Sequence, residues 1–201
     1  MDPASPSDRR DEILKAARIC FLDRGFVRTT ISEIVALSGG SRSTVYEEFG
    51  SKEGLFKALV SSIIEQMRLP DVPNGPPDEV LRAFGVAYME RLMDPEALAL
   101  YRVALGESAH VRHLGPALFE AGQKSATAAL AGRIRGWVRE GILDVDDPDR
   151  AASLFLAMVE GDLHRSAVLW ASTPGTADIA VNVDSASDLF VRGARSPLTL
   201  R

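Results

Sequence analysis

The sequence has almost no cysteine and no long apolar segment. Cys20 is the only cysteine among 201 residues, so an internal disulfide is excluded and the chain fits a reducing cytoplasm. Nowhere do about 18 apolar residues follow one another, which is the length that a membrane-spanning helix requires. Residues 1–12 lack the apolar core of a signal peptide. We therefore expect a cytoplasmic protein with no membrane partner.

The sequence also lacks the motifs of common catalytic sites. It contains no G-x-S-x-G nucleophile motif, no phosphate-binding P-loop, no dinucleotide-binding glycine pattern and no H-E-x-x-H zinc motif. Cys20 falls on the apolar face of a predicted helix without a histidine near it in sequence, and we interpret it as a small core residue. We therefore predict that the protein is not an enzyme and uses no cofactor.

Positive charge is not in excess either. The chain carries 23 lysine and arginine residues against 28 aspartate and glutamate residues, a net charge of −5. Residues 1–60 contain nine basic and nine acidic side chains, so this segment is neutral and the remainder is acidic. A protein of this kind cannot hold DNA by an overall positive field. If it binds DNA, the affinity has to come from a few placed side chains and from helix ends.

The sequence does contain helical periodicity along its whole length. In the first predicted helix, over residues 8–24, apolar residues recur at helical spacing from Ile13 to Phe21, and Gly25 follows as a terminating residue. No segment alternates between apolar and polar residues as a half-buried strand does. We therefore predict an all-α fold of about nine helices.

The most informative segment is residues 28–56, RTTISEIVALSGGSRSTVYEEFGSKEGLF. Thr30 and Glu33 have the T-x-x-E spacing of a capping box, which begins a short helix. The glycines at residues 39–40 suit a tight turn, and Ser41 is placed to cap a second short helix. Two short helices joined by a glycine-containing turn form a helix-turn-helix unit, whose second helix presents its first residues to the DNA major groove.

The side chains of this unit indicate how DNA would be contacted. Arg42 can donate to guanine O6 and N7, while Ser43 and Thr44 can reach a base edge or a thymine methyl. Tyr46 and Lys52 suit phosphate contacts that set the register on the duplex. The predicted DNA-contacting residues are Thr30, Ser41, Arg42, Ser43, Thr44, Tyr46 and Lys52. The alternative is a helical hairpin whose polar residues are only solvated.

The stretch TTISEIVALSGGSRSTVYEEFGSKEGLF resembles the DNA-binding domain of TetR-family (tetracycline-repressor-like) transcription regulators, in which a TxxxIAxxAGVSxGTxYxxFxSKExL pattern recurs. The resemblance covers residues 10–60 and implies a homodimer that binds a palindromic operator and releases it when a small molecule binds. Gly40 departs from the pattern, replacing a valine that usually packs into the turn, and Ser43 replaces a common glycine. Glu47 and Glu48 replace a neutral or basic pair, and would repel phosphate unless they point away.

A second resemblance lies in residues 98–194, through runs such as LYRVALGES, DVDDPDRAASLFLAMVEGDLHRSAVL and DLFVRGA. These runs are similar to the regulatory domain of AefR-like TetR proteins, although their helical patterns are diffuse. Such domains usually dimerise through the last two helices, here residues 148–170 and 176–193. The predicted interface residues are Leu154, Phe155, Val159, Leu163, Leu189 and Phe190. The alternative is that these residues form the core of a single chain, and both roles can be shared.

The larger helical region also offers candidates for a ligand pocket and a metal site. The predicted pocket residues are Tyr88, Met89, Arg102, Phe119, Trp137, Met158, Asp162 and Trp170, although each could equally belong to the core. Asp162 and His164 are two residues apart and therefore lie on different helix faces, where either could face a ligand or be a satisfied buried polar group. Glu107, His110 and His113 have a spacing compatible with metal ligands, but no further ligand cluster accompanies them, and we predict no metal site.

Residues 70–77 carry four prolines and a glycine, which cannot continue a helix. We predict a helix-turn-helix DNA-binding domain over residues 1–56 and a helical ligand-binding and dimerisation domain over residues 57–201. The predicted function is a ligand-responsive transcriptional regulator, a repressor that an unidentified small molecule releases from a palindromic double-stranded DNA operator. The alternative is a helical binding or scaffold protein that retains the fold without specific DNA binding.

Overall fold

The computed structural model describes residues 6–66, 71–107, 116, 123–170 and 174–195. Within these ranges the chain forms nine helices and, apart from one isolated bridge between Leu143 and Arg195, no β-structure. In chain order the helices are α1 Pro6–Arg24, α2 Ile31–Ser38, α3 Arg42–Phe49, α4 Lys52–Gln66, α5 Pro77–Leu92, α6 Pro95–Glu107, α7 Ser125–Arg139, α8 Pro148–Val168 and α9 Thr176–Ala194. The predicted all-α fold is confirmed.

The contacts within the chain divide it into two compact units. The first unit comprises Met1–Met67 and Ala99–Ala121, and the second comprises Arg68–Leu98 and Gly122–Arg201. The boundary predicted between residues 56 and 57 therefore falls inside α4, and most of α6 joins the first unit rather than the second.

A shared apolar core explains why α4 is not divided. In the first unit α1 packs against α2 and α4, and the rings of Phe21, Phe26 and Phe56 have centroids 5.4–5.5 Å apart. Phe56 and Leu59 stand on either side of the predicted boundary and are both buried in this core, which Leu100 of α6 completes. Separating them would expose apolar area that the folded unit keeps from water.

The second unit has its own core, formed by α5, α7, α8 and α9. In this core α5 packs against α9, and α7 packs against α8. Trp137 of α7 is fully buried and donates from its indole nitrogen to the Gly75 carbonyl oxygen at 3.0 Å. Phe155 of α8 meets Phe190 of α9 edge to face, with ring centroids 5.5 Å apart. Gly75, in the proline-rich segment before α5, thus provides the backbone acceptor for the buried indole of the second core.

Helix α8 contains a kink at Gly161, whose φ of 44° and ψ of −139° are not helical. A residue with a side chain would be strained at this positive φ, so glycine suits the position. Asn182 of α9 donates to the Val159 carbonyl oxygen at 2.5 Å, so the neighbouring helix supplies a hydrogen bond to the backbone next to the kink.

Among the described residues, no helix combines the length and the apolar character that crossing a membrane requires.

Candidate nucleic-acid interface

The beginning of α2 has the predicted capping box. Thr30 is extended, its hydroxyl oxygen accepts from the Glu33 backbone N–H at 3.3 Å, and the Glu33 carboxylate accepts from the Thr30 N–H at 2.8 Å. Arg24 pairs with the same carboxylate at 2.5 Å. The hydrogen bonds from Thr30, together with Arg24, hold the pKa of Glu33 below its ordinary value. These hydrogen bonds and the ion pair therefore hold the exposed first turn of α2 in one conformation.

The turn and the beginning of α3 also follow the prediction. Gly39 ends α2, and Ser41 is the extended N-cap of α3, with its side chain accepting from the Thr44 N–H at 3.2 Å. The Ser41 hydroxyl lies 2.6 Å from the Ser43 hydroxyl and 3.0 Å from that of Thr44. Ser41 thus connects the polar side chains of the first turn and holds them in one arrangement.

The two faces of α3 differ in burial. Val45 is buried in the core of the first unit and anchors the helix. Arg42 and Tyr46, one turn apart, are exposed, as are Ser43 and Glu47, which are also one turn apart. Arg42, Tyr46 and Glu47 make no side-chain hydrogen bond or ion pair within the part of the chain that the structure describes. The outward face of α3 therefore presents a cation, a phenol and a carboxylate that are all available to a partner.

Lys52 is used inside the unit, which contradicts its predicted role as a phosphate contact. Its ammonium group lies 2.9 Å from the Phe26 carbonyl oxygen, 3.3 Å from that of Val27 and 2.9 Å from that of Thr29. It also lies 4.5 Å from the centre of the Phe26 ring. An ammonium has three N–H donors, and three carbonyls take them, so none remains for DNA. The acceptors precede Lys52 by more than twenty residues, and no local pattern reveals them.

Sequence reasoning missed Thr29, which is only 1% exposed. Its hydroxyl lies 2.9 Å from the Cys20 carbonyl oxygen and 2.7 Å from that of Gly25, which ties the end of α1 to the residue before the α2 cap. The carboxylate of Glu107 accepts from the Val27 N–H at 3.3 Å. Thr29, Lys52 and Glu107 together hold the loop that leads to Thr30. The only signal in the sequence was a second threonine directly before the capping threonine.

The structure separates the predicted pocket residues into three groups. Tyr88, Met89 and Trp137 are buried in the second unit, and the Tyr88 hydroxyl donates to Glu160 at 2.5 Å. Arg102 lies half-buried on α6 in the first unit, and Phe119 lies outside the described residues. The third group, Met158, Asp162 and Trp170, is exposed on the surface of the second unit, and its pocket role stays a prediction. Helical periodicity could not distinguish these groups because it does not show what covers a helix face.

Two of the exposed pocket candidates, Trp170 and Asp162, lie at or near the end of α8. Trp170 is 75% exposed and has a positive φ of 54° just after α8 ends. Asp162 pairs with Arg165 on the surface, whereas His164, two residues along, is buried. Burial lowers the pKa of His164, and the nearby Glu160 opposes that shift. The prediction that Asp162 and His164 lie on different faces is therefore confirmed.

The predicted dimer residues also divide into buried and exposed sets. Phe155 and Val159 have no exposed surface in the single chain, so they cannot contribute area to an interface, and Phe190 is nearly as buried. Leu154 is 51% exposed and Leu189 is 65% exposed. The inclusion of Phe155, Val159 and Phe190 was therefore wrong, because these residues fill the core between α8 and α9. Leu163 is half-buried against the same core.

The described residues contain no group of three or more histidine, cysteine, aspartate or glutamate side chains that could hold a metal ion. Of the three residues considered for a metal site, Glu107 bonds to the Val27 backbone, while His110 and His113 lie outside the described residues.

Two capped helices around a glycine turn, with an outward polar face and a separate helical unit, define a helix-turn-helix transcription regulator. A family model described as bacterial regulatory proteins of the tetR family matches residues 13–59. A second, described as the C-terminal domain of AefR-like transcriptional repressors, matches residues 79–193. The chain belongs to the TetR family, and it is a DNA-binding transcriptional repressor.

Individual relatives agree with this assignment. The chain is 31% identical to the HTH-type transcriptional repressor AcnR of Corynebacterium glutamicum, over 87% of this chain and 89% of that protein. It is 26% identical to the HTH-type transcriptional regulator TtgR of Pseudomonas putida, over 91% of each chain. Among solved structures, the flavonoid-responsive regulator FrrA is similar with a TM-score of 0.84 and 28% identity, covering 94% of this chain and 98% of that one.

Proposed function

We propose that the repressor recognises its operator mainly through the outward face of α3. Arg42 carries this proposal, because it is exposed in the first turn of α3 and has no partner among the described residues. Its guanidinium is available to donate to O6 and N7 of a guanine in the major groove. Ser43 projects from the same turn, beside the hydroxyls of Ser41 and Thr44, and would contact the neighbouring base edge.

Phosphate contacts would set the register of this helix on the duplex. Tyr46 is 51% exposed and stands one turn after Arg42, where its hydroxyl would donate to a phosphate oxygen. At the beginning of α2, where the helix N-terminus favours an anion, the Thr30 hydroxyl already donates to the Glu33 carboxylate at 2.9 Å, so Thr30 is not included as a phosphate donor. Lys52 is left out of this set because its donors are engaged with backbone carbonyls. The same unit works on cytoplasmic DNA, which is where we place the protein.

We further propose that the repressor acts as a homodimer through the exposed faces of α8 and α9. Leu154 and Met158 are exposed one turn apart on α8, and Val181 and Leu189 are exposed two turns apart on α9. Large apolar side chains that remain in water on two neighbouring helices favour burial against a second copy of the same surface. The dimer would place its two α3 helices in major grooves about 34–36 Å apart, or a multiple of that distance.

Release by a small molecule would be a population shift. An effector that binds the dimer better when its α3 helices are spread lowers operator affinity by that same difference in binding free energy. We place effector recognition in the second unit around Tyr88, Glu160 and His164. The Tyr88 hydroxyl donates to the Glu160 carboxylate, and Glu160 interacts electrostatically with the buried His164, so these three residues form a polar group beside an otherwise apolar core. Such groups orient ligands in apolar pockets.

Gel-shift titration tests the DNA contact. The wild-type protein is titrated against DNA flanking its own gene at two salt concentrations, beside Arg42→Ala and a control, Arg139→Ala, which removes an exposed arginine of α7. We expect a specific, salt-sensitive shift that Arg42→Ala weakens about 10- to 100-fold and that the control leaves unchanged. No specific shift by the wild-type protein would favour the alternative of a helical binding protein without operator recognition.

Sedimentation velocity tests the dimer. Leu189→Glu places a charge in the exposed apolar surface of α9 and should convert the dimer into monomers with an unchanged circular dichroism spectrum. Ile142→Glu is the matched control, because Ile142 is also an exposed apolar residue of the second unit but lies outside α8 and α9. A monomeric wild-type protein, or a dimer that tolerates Leu189→Glu, would contradict the proposal.

The proposed effector site is tested by measuring the concentration of a compound that releases the repressor from its operator. The panel begins with flavonoids, since the similar structure FrrA is named as flavonoid-responsive. For any compound that releases the wild-type repressor, Tyr88→Phe should raise the concentration needed without changing operator affinity in its absence. An unchanged response in Tyr88→Phe and Glu160→Gln would move the effector site elsewhere.

A further inference from the structure

The arginine at position 9 bonds to the turn between α2 and α3. Arg9 is on α1, and its Nη1 donates to the Ser38 carbonyl oxygen at 2.8 Å, while its Nη2 donates to that of Gly39. Glu12, one turn along α1, pairs with Nη1 at 2.8 Å and holds the guanidinium from the other side. The side chain is only 23% exposed, although arginine is usually a surface residue.

These two carbonyls end α2, where the last backbone acceptors of a helix lack partners within it. Such an end also carries partial negative charge and favours a cation. Helix α2 has no basic residue in its own last turn, so Arg9 supplies the cation from another helix. The bonds are charge-assisted and bring two donors of one rigid group to consecutive carbonyls.

The guanidinium of Arg9 occupies the space that a side chain at residue 40 would need. Gly39 and Gly40 have φ angles of 75° and 79°, in the region that residues with side chains rarely adopt. A Cβ atom added at residue 40 would lie 2.0 Å from Nη2 of Arg9, whereas one added at residue 39 would lie 3.8 Å from Nη1. Any side chain at residue 40 would therefore displace the guanidinium. The observed position of Arg9 therefore depends on glycine at residue 40, which the positive φ of that residue favours as well.

We infer that Arg9 is a positioning residue for operator recognition, which holds the α2–α3 turn so that α3 presents Arg42 in one orientation. Ser41, the cap of α3, follows Gly40 directly, so movement of the turn moves the beginning of α3. The inference rests on the proposed role of α3 in reading the operator. It assigns Arg9 no contact with DNA, because its terminal nitrogens are directed at Ser38, Gly39 and Glu12.

The first test compares specific and non-specific DNA. Arg9→Gln removes the cation and the fork of donors, and Lys15→Gln removes an exposed cation from the same helix as a charge control. We expect Arg9→Gln to weaken operator binding about tenfold, as for lost charge-assisted hydrogen bonds, and to leave binding to scrambled DNA unchanged. Arg9→Lys keeps a cation at the end of α2 and should recover part of the loss. Lys15→Gln should change neither.

Salt dependence separates a positioning residue from a phosphate contact. For a phosphate contact, the slope of log K against log salt would fall by about 0.9 in Arg9→Gln, and scrambled DNA would bind more weakly as well. That result, or unchanged operator binding in Arg9→Gln, would overturn the inference. Failure of the wild-type protein to bind any operator would instead count against the proposed function, so the two failures are distinguishable.

A double-mutant cycle tests the pairing with Gly40 without DNA. Gly40→Ala should lower the unfolding midpoint more when Arg9 is present than in Arg9→Gln, because the collision with Nη2 is then absent. Gly141→Ala is the matched control, since Gly141 has a φ of 70° but no atom within 4 Å of the added Cβ. The cycle of Arg9→Gln with Gly141→Ala should be additive. Additivity in the Gly40 cycle would show that Arg9 does not occupy the turn.

Discussion

The outward face of α3 and the loop that leads to α2 are both polar, and both belong to the first unit, but their side chains are used in different ways. On α3, Arg42 and Tyr46 are exposed and have no partner in the described chain. In the loop, the buried Thr29 bonds to two backbone carbonyls, and Lys52 of α4 donates to three carbonyls of the same loop. Both regions matched the same sequence resemblance, but only the α3 face keeps exposed side chains without partners in the described chain.

The difference shows that polarity near a recognition helix does not by itself mark a DNA contact. A donor that is already bonded to a backbone carbonyl would have to leave that carbonyl unpaired in order to bind phosphate, and an unpaired buried acceptor costs about 1–3 kcal/mol. The engaged residues therefore hold the first unit in shape, and the exposed residues without partners in the described chain are the ones that we propose contact DNA. Arg9 belongs with the engaged residues because it donates to the carbonyl oxygens of Ser38 and Gly39.

The largest effect is expected from Lys52→Met. Loss of the ammonium leaves the carbonyls of the loop before α2 without their charged donor, so the free energy of unfolding should fall by about 1.5–3 kcal/mol. Chemical denaturation measures this, with Lys57→Met as the control because Lys57 is exposed on the same helix. If stability were unchanged while the salt slope of operator binding fell by about 0.9, Lys52 would be a phosphate contact after all.

A smaller effect is expected from Glu47→Gln. Glu47 is exposed one turn after Ser43 and has no partner in the described chain, so in the proposed complex its charge would lie near the phosphates of the operator. Removing that charge should strengthen operator binding by about 0.2–1 kcal/mol, the range of exposed charge interactions, and the gain should shrink at high salt. Glu65→Gln, on α4, is the control. Weaker binding of Glu47→Gln would instead indicate that the carboxylate accepts from a cytosine amino group.

In the second unit, the buried His164 makes the free energy of unfolding depend on pH. Burial lowers the pKa of His164 in the folded chain, so as the pH falls below about 6.5 the unfolded chain binds the proton first. Above that pH His164 is neutral in both the folded and the unfolded chain and does not lower the free energy of unfolding. As the pH falls towards the lowered pKa, the free energy of unfolding decreases. Glu160, which accepts from Tyr88, opposes the shift and limits the loss.

Thermal unfolding between about pH 7.5 and pH 5 measures this loss for the wild-type protein and for His164→Asn. The melting temperature of the wild-type protein should fall more steeply over this interval, because other titrating groups are common to both. Equal slopes would mean that His164 is protonated as easily in the folded chain as in the unfolded one.

The features that local signals predicted were correct. The Thr30–Glu33 capping box, the Ser41 cap and the apolar spacing from Ile13 to Phe21 all depend on residues within three or four positions of one another. The same reasoning was wrong where distant residues decide. The predicted boundary divides α4 because the aromatic core of the first unit extends beyond residue 56. Phe155 and Val159 were assigned to an interface because their pattern does not show that α9 and α5 cover them.

The sequence alone determined that the chain is helical, that a glycine turn joins two capped helices, and that no excess of positive charge is available to hold DNA. Those properties depend on backbone capping, on side-chain spacing and on counted charge, all of which are local or additive. Only the tertiary structure decided which cations remain available. Lys52 and Arg9 are bonded to carbonyls that come from other segments of the chain, whereas Arg42 has no such partner in the described residues. A hydrogen bond requires two groups in one place, and folding brings them together.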